Sequence, residues 1–191
     1  MIDKPTIDYY RKHAETVCAT YRSAESGISV RFVQAFPHGG RILDVGAGSG
    51  RDLAHLLQSG FVAEGVEPVE NMIREAITAY PILREKIHTG ALPKLDKFES
   101  NSFDGILCSA VLMHIPEAHL FDAVWELKRL LKDKGRLMVS LPVDSSLKEE
   151  VIGDVLCVES DTESFSPSSC NRHNSSQQSH AILVDRLCNT I

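Results

Sequence analysis

The sequence lacks the features that mark export, membrane insertion or nucleic-acid binding. No apolar run approaches the roughly 20 residues that a membrane-spanning helix requires, and the first residues, MIDKPTIDYYRKH, contain no apolar core of a signal peptide. Basic residues are outnumbered, with 20 Lys and Arg against 26 Asp and Glu and a net charge of −6. Such a balance offers no basic excess for phosphate contacts. We therefore expect a cytoplasmic protein with no membrane and no nucleic-acid partner.

Cysteine is too sparse and too scattered for a disulfide framework. The five cysteines are odd in number and form no CxxC pair, a pattern that is typical of reduced thiols. No cluster of His, Cys and Asp has the spacing of metal ligands. The sequence therefore predicts neither a disulfide nor a metal site.

Short apolar segments alternate with amphipathic segments between residues 41 and 142. The predicted strands are RILDVG, FVAEGVE, EKIHTG, FDGILCSA and RLMVSLP, and the predicted helices are TIDYYRKHAETVCATYRSA, RDLAHLLQSG, VENMIREAITAY and EAHLFDAVWELKRLLKD. Strands that alternate with helices form parallel sheets through right-handed crossovers. The predicted fold class is α/β, a doubly wound and mostly parallel sheet with helices on both faces.

The alternation weakens after Pro142, so the C-terminal part of the fold is predicted to be incomplete. Eight of the 22 residues from 159 to 180 are serine. Such a segment buries too little apolar surface to offset its ordering entropy. We predict a main domain over residues 1–158, a polar mobile loop over 159–180 outside the parallel sheet, and a last strand or tail over 181–191.

A glycine-rich turn follows the first predicted strand. The segment ILDVGAGSGRD, from Ile42 to Asp52, places Gly46, Gly48 and Gly50 at every second position. Ligands of open parallel sheets bind beyond the carboxyl ends of the strands, and glycine permits positive φ and close approach of the backbone to a ligand. The helix that follows offers free N–H groups. The turn is therefore the predicted ligand site.

Three ligand classes compete for this turn. A P-loop requires Lys and Ser or Thr after its last glycine, and neither is present. The dinucleotide fingerprint GxGxxG requires a glycine where Arg51 stands. S-adenosylmethionine has no phosphate, and its amino-acid end carries one carboxylate and one ammonium group. Bare backbone amides beside a carboxylate suit that zwitterion best.

Five segments in order resemble the class I S-adenosylmethionine-dependent methyltransferases over roughly residues 30–143. ILDVGAGSG resembles the first motif of that family, and GVEP, ALPKL, FDGILCSAVLMHIP and LKRLLKDKGRLMVSLP resemble the four that follow. The resemblance implies that a methyl group passes from S-adenosyl-L-methionine to a small-molecule or protein acceptor by direct displacement. It leaves the acceptor and the oligomeric state undefined.

The resemblance also implies the residues of the cofactor site. Glu67, at the end of the second strand, would accept the ribose hydroxyls, as a strand-end acid does in dinucleotide-binding folds. Asp44 would reach the methionine ammonium, although it could instead cap its own turn. Asp52 could equally stabilise the start of its helix. The implied cofactor-binding residues are Asp44, Gly46, Ala47, Gly48, Gly50, Asp52, Glu67, Pro68, Ala91, Leu92 and Ser109.

His114 is the candidate catalytic residue, on the substrate side of the expected cleft. A neutral imidazole can take a proton from an acceptor hydroxyl or amine, and packing is the alternative role. Tyr9, Tyr10 and Tyr21 would either cover the cofactor or pack the first helix.

Two other functions remain open. A cofactor-binding protein of the same fold, with little turnover and acting through a partner, is favoured by the short chain after Pro142. An NAD-dependent oxidoreductase is disfavoured by the missing third glycine.

Overall fold

The computed structural model describes residues 4–24, 26–142 and 179–184. Within them, one six-stranded sheet has the strand order β3-β2-β1-β4-β5-β6. The strands are β1 (Arg41–Val45), β2 (Val62–Glu67), β3 (Ile87–Thr89), β4 (Phe103–Ser109), β5 (Leu131–Pro142) and β6 (Ser179–Val184). The first five strands are parallel, and β6 is antiparallel to β5. The predicted doubly wound, mostly parallel α/β fold is confirmed.

The helices lie on both faces of this sheet. They are α1 (Lys4–Ser23), α2 (Phe32–Ala35), α3 (Arg51–Gln58), α4 (Glu70–Ala79) and α5 (Leu120–Leu130). One apolar cluster joins α5 to one face of the central strands, and a second joins α2, α3 and α4 to the other face. No helix among the described residues has the length and apolar character needed to cross a bilayer.

Successive residues of the central strands supply the two clusters. Ile42 and Leu43 are both 0% exposed, and they belong to opposite clusters because neighbouring side chains of a strand point to opposite faces. Ile106 and Leu107 of β4 divide in the same way. Burial on both faces explains why these strands read as continuous apolar runs instead of alternating ones.

Two differences from the sequence prediction concern the boundaries of strands. The helix predicted to run through Asp133 ends at Leu130, because Leu131 takes up an extended backbone and pairs with Phe103. The last strand begins at Ser179, so Ser179 and His180, which were assigned to the polar loop, pair with β5. The remainder of that predicted loop, residues 159–178, lies outside the described residues.

Candidate functional site

A cavity of about 400 Å³ lies at the carboxyl ends of β1, β2 and β4. The chain proceeds outward from β1 through β2 to β3 and then returns to β4 on the other side of β1, so the cavity marks the switch point of the sheet. Its walls are the turn after β1, the ends of β2 and β4, the start of α4 and one side of α1. Its volume falls within the roughly 300–1,000 Å³ of small-molecule sites.

The glycine turn forms the floor of the cavity. The Gly46 and Ala47 N–H groups donate to the Val66 carbonyl at 2.8 and 3.0 Å, which holds the turn against β2. A Cβ atom on Gly46 would overlap Cγ2 of Val111, whereas a Cβ atom on Gly48 would meet nothing closer than 3.7 Å. Both residues have positive φ, at 72° and 53°. Gly46 is therefore required by the protein's own packing, and Gly48 leaves open space beside the cavity.

Glu67 links the turn to α4 from the end of β2. Its carboxylate accepts hydrogen bonds from the Gly48 and Val69 N–H groups, each at 3.0 Å. The residue is 5% exposed. Burial raises the pKa of Glu67 to about 7, although the two backbone hydrogen bonds act in the opposite direction. A carboxylate has about four lone-pair sites, so acceptor capacity remains for a ligand.

Asp44 places a second buried acid at the end of β1. It is 2% exposed, and its Oδ2 atom has no hydrogen-bond partner among the described residues. Burial raises the pKa of Asp44 well above its usual range, and the nearby Asp52 and Glu67 add to that rise. A buried polar atom without a partner beside a cavity is a ready contact for a cationic or donating ligand group.

Arg51 and Asp52 form an ion pair at the start of α3. The Asp52 carboxylate accepts from Nε of Arg51 at 3.0 Å and from Nη2 at 3.2 Å. Apart from His114, Arg51 is the one basic side chain among the described residues that line the cavity. The three acids Asp44, Asp52 and Glu67 therefore face a single arginine, and the site favours a ligand that carries positive charge.

Aromatic side chains from α1 lie on the other side of the cavity, next to His114. The Tyr10 hydroxyl lies 3.5 Å from Nε2 of His114 and 3.5 Å from the Tyr21 hydroxyl, and the Tyr10 and His114 rings meet edge to face. Burial raises the pKa of Tyr10 well above its usual value, so the phenol stays protonated at neutral pH. Tyr9 is 56% exposed, and it does not line the cavity.

The end of β4 completes the wall. The Ser109 hydroxyl lies 2.8 Å from that of Ser140 on β5, which fixes its position at the cavity. The preceding Cys108 is 0% exposed in the apolar core. Burial raises the pKa of the Cys108 thiol to about 12, so this cysteine is a packing residue and not a nucleophile.

Most of the sequence-predicted site residues meet around the cavity. The structure brings together Asp44, Gly46, Ala47, Gly48, Asp52, Glu67, Pro68, Ser109 and His114. It does not bring Gly50, Ala91 or Leu92 to the cavity wall. A Cβ atom on Gly50 would meet Leu83 and Ala76, Ala91 forms an isolated bridge with Lys94, and Leu92 is 1% exposed in the core.

The cavity wall also contains residues that carry no functional signal in the sequence. They are Thr6, Ile7, Ser49, Val69, Met72, Ala110, Val111 and Met113. Apolar residues on helices and turns are read first as core. Only the helical spacing of Ile7, Tyr10, Ala14 and Val17 could have indicated that one side of α1 meets the rest of the molecule.

Residues 10–183 match the family model of a methyltransferase domain. A curated relative, an uncharacterised protein of Methanocaldococcus jannaschii, is 41% identical over 58 residues, which are 30% of this chain and 24% of that protein. A protein of Pyrococcus horikoshii has a similar solved structure, with a TM-score of 0.60 and 26% identity over 70% of this chain and 65% of the other.

A second similar structure is 1,6-didemethyltoxoflavin-N1-methyltransferase of Burkholderia thailandensis, solved with 1,6-didemethyltoxoflavin and S-adenosylhomocysteine. Its TM-score is 0.62 and its identity 23%, over 74% of this chain and 62% of the other. At that identity the likeness shows the fold alone. The chain spans less than two thirds of the length of each of these three relatives.

Proposed function

The chain belongs to the class I S-adenosylmethionine-dependent methyltransferase family through its methyltransferase domain, and we propose that it binds S-adenosyl-L-methionine in the cavity and transfers the methyl group to a small-molecule or protein acceptor. The observation that carries the proposal is the pair of buried carboxylates, Asp44 and Glu67, on either side of a glycine turn. They suit a ligand with hydroxyl donors and a cationic amino-acid end.

The donor groups of the cofactor match the acceptors that the chain offers. The unpartnered Oδ2 of Asp44 suits the ammonium group, and the remaining lone pairs of Glu67 suit the ribose hydroxyls. The other residues proposed to hold the cofactor are Gly46, Ala47, Gly48, Asp52, Pro68 and Ser109. When bound, the cofactor would supply a methyl group on a sulfonium sulfur. As the methyl group passes to the acceptor, its bond to sulfur breaks and S-adenosylhomocysteine, a neutral thioether, is the leaving group.

The protein's part in such a reaction is alignment and the exclusion of water. Holding a nucleophile in line with the methyl group can lower the barrier by about 7–11 kcal/mol. Tyr10, Tyr21 and Met113 line the cavity and would shield the bound cofactor and acceptor from solvent. We place His114 beside the acceptor, where its imidazole can accept a proton that a hydroxyl or amine nucleophile releases.

Titration calorimetry with S-adenosylmethionine, S-adenosylhomocysteine and NAD tests the ligand class. We expect the first two to bind and NAD to fail, because the pyrophosphate would face three acids and one already paired arginine. Glu67→Ala should weaken S-adenosylhomocysteine binding at least about tenfold, through the loss of hydrogen bonds to a charged acceptor. Glu70→Ala, an exposed acid on α4, is the matched control and should leave the affinity unchanged.

Two outcomes would contradict the proposal: preferential binding of NAD, or no binding of S-adenosylmethionine. Release of S-adenosylhomocysteine from S-adenosylmethionine in the presence of candidate acceptors then separates an enzyme from a cofactor-binding protein with little turnover.

A further inference from the structure

The Arg51 guanidinium joins two parts of the molecule that are far apart in sequence. Besides its ion pair with Asp52, Nη1 donates to the Tyr21 carbonyl at 2.8 Å and to the Ala24 carbonyl at 3.1 Å. The Tyr21 carbonyl lies in the last turn of α1, where helix carbonyls lack intrahelical partners, and Ala24 directly follows the helix. The side chain is 20% exposed. Arg51 therefore connects the residue directly after the glycine turn to the helix that covers the cavity.

Helix α1 consists of two segments that are held unequally. His13 has non-helical angles, φ −113° and ψ 16°, and separates them. In the C-terminal segment, Ala14 and Cys18 are buried against Val69 and Met72 of the α4 region. The N-terminal segment contributes Ile7 and Tyr10, which are only partly buried. Arg51 therefore binds the segment of α1 that contains both of its fully buried residues.

A series of contacts runs from Arg51 through Tyr21 and Tyr10 to His114 at the cavity. Arg51 donates to the Tyr21 carbonyl at 2.8 Å, the Tyr21 hydroxyl lies 3.5 Å from that of Tyr10, and the Tyr10 hydroxyl lies 3.5 Å from Nε2 of His114. The contacts at 3.5 Å are long for hydrogen bonds, and catalytic hydrogen bonds often shorten only when a ligand binds. The shortest of these contacts is the charge-assisted hydrogen bond from Arg51 to the Tyr21 carbonyl.

We propose that Arg51 is a positioning residue that holds α1 closed over the bound cofactor and so slows its dissociation. The inference rests on the proposed function of the cavity. Arg51 is poorly suited to bind a ligand directly, because its charge is already paired with Asp52. Its effect is exerted through Tyr21 and Tyr10, which form the cover, and its loss would allow the cover to open without changing the residues on the cavity floor.

Arg51→Lys is the variant that tests this role, with Arg11→Lys as the matched control. Lysine keeps the charge but lacks the planar fork that binds a carboxylate and two carbonyls together. Arg11 lies on α1 itself, with a side chain that is 59% exposed. Hydrogen exchange of the ligand-free chain should show about tenfold weaker protection over residues 14–24 in Arg51→Lys, with β1 and β4 unaffected. Arg11→Lys should resemble the wild type.

The second measurement is the dissociation rate of S-adenosylhomocysteine. We expect the rate to rise about tenfold in Arg51→Lys, with little change in the association rate. An unchanged dissociation rate would overturn the proposal even if α1 became less protected, because Arg51 would then be a structural contact only. Faster exchange throughout β1 and β4 would also overturn it, since that pattern indicates global destabilisation.

A wild-type chain that binds no S-adenosylhomocysteine would refute the proposed function and, with it, the retention role. The exchange experiment would then still decide whether Arg51 holds α1. Arg51→Gln, with folding checked by circular dichroism, gives a second test in which both charge and fork are lost. It should release the ligand at least as fast as Arg51→Lys, and slower release would contradict the proposal.

Discussion

At the scale of single residues, the environment of Glu67 combines two opposing effects. Its ionised carboxylate organises the site by accepting two backbone N–H groups, and its burial favours the neutral acid, so that the pKa rises from 4.5 to about 7. The pKa in the folded state lies above the unfolded value. The folded state therefore binds the Glu67 proton more tightly than the unfolded chain does. Its contribution to the free energy of unfolding is fully present below about pH 4.5 and is lost as the pH rises through about 7.

We predict that this pH dependence disappears in Glu67→Gln. Between pH 5 and pH 8 the stability of the ligand-free wild type should fall by about 2–3 kcal/mol relative to the variant. Asp44 also has a raised pKa, mainly through burial and in smaller part through Asp52 and Glu67, so only the part due to Glu67 enters the difference between the two proteins. Urea unfolding at the two pH values measures the effect, and a difference that does not vary with pH would show that Glu67 titrates normally.

The residues of the site that could be predicted are those in which backbone geometry restricts the choice of side chain. Gly46 and Gly48 have positive φ, and Asp44 and Glu67 end parallel strands, whose ends meet at one edge of the sheet. Leu92 lies in an irregular loop, where side-chain direction does not follow from sequence spacing. Met113 carries no chemical signature, and its place at the cavity depends on the tertiary fold.

At the scale of elements, α5 holds the loop that leads from β3 to β4. Glu126 is 8% exposed and accepts from the Leu95 N–H at 2.8 Å. Both of its oxygens bind Arg129, each at 2.8 Å, and Arg129 donates in turn to the Phe98 carbonyl at 3.0 Å. This loop has little regular structure of its own, so its course depends on the two charged residues of α5.

We predict that Glu126→Ala lowers the free energy of unfolding by about 1–3 kcal/mol, the range for hydrogen bonds to a charged group, because the Arg129 side chain that it leaves unpaired is 28% exposed. Arg129→Met should cost at least as much, because it leaves the buried Glu126 carboxylate without its cation and removes the hydrogen bonds to the Phe98 and Leu95 carbonyls. The double variant should cost less than the sum of the two. The Arg129 side chain lowers the pKa of Glu126. The cost should therefore shrink as the pH falls below about 4.5, where the carboxylate is lost. Urea unfolding at pH 7 and pH 3 tests both points, and additive costs would contradict the coupling.

The helices and strands that could be predicted are those in which apolar residues keep the spacing of a helix or form the continuous run of a buried strand over the whole element. The five parallel strands and α1, α3, α4 and α5 all lie where the sequence predicts them. The end of α5 differs from the prediction because Leu131 continues the helical apolar pattern, yet its partner in the structure is Phe103 of β4. Helix α2 was missed because four residues, Phe32–Ala35, are too few to show a period.

At the scale of the whole molecule, the cavity lies where separately packed parts of the protein meet. Val111 of its wall belongs to the cluster under α5, Ala47 belongs to the cluster under α3, and Val69 and Met72 belong to the cluster under α1. Each of the three apolar clusters therefore contributes residues to the same site. A ligand that contacts this wall is expected to stabilise all three together, and not α1 alone.

We therefore predict that S-adenosylhomocysteine shifts thermal unfolding as a single transition. At a concentration of 100 times its dissociation constant, the ligand should add about 2.7 kcal/mol, which corresponds to about 5–10 °C for a domain of this size. Gly48→Val is the matched control, because a β-branched side chain at positive φ is strained and occupies the open space beside the cavity. Scanning calorimetry should show no shift in that variant. Two separate transitions, with only the smaller one moved by the ligand, would show that α1 and its cluster unfold independently of the sheet, and an equal shift in Gly48→Val would place the ligand elsewhere.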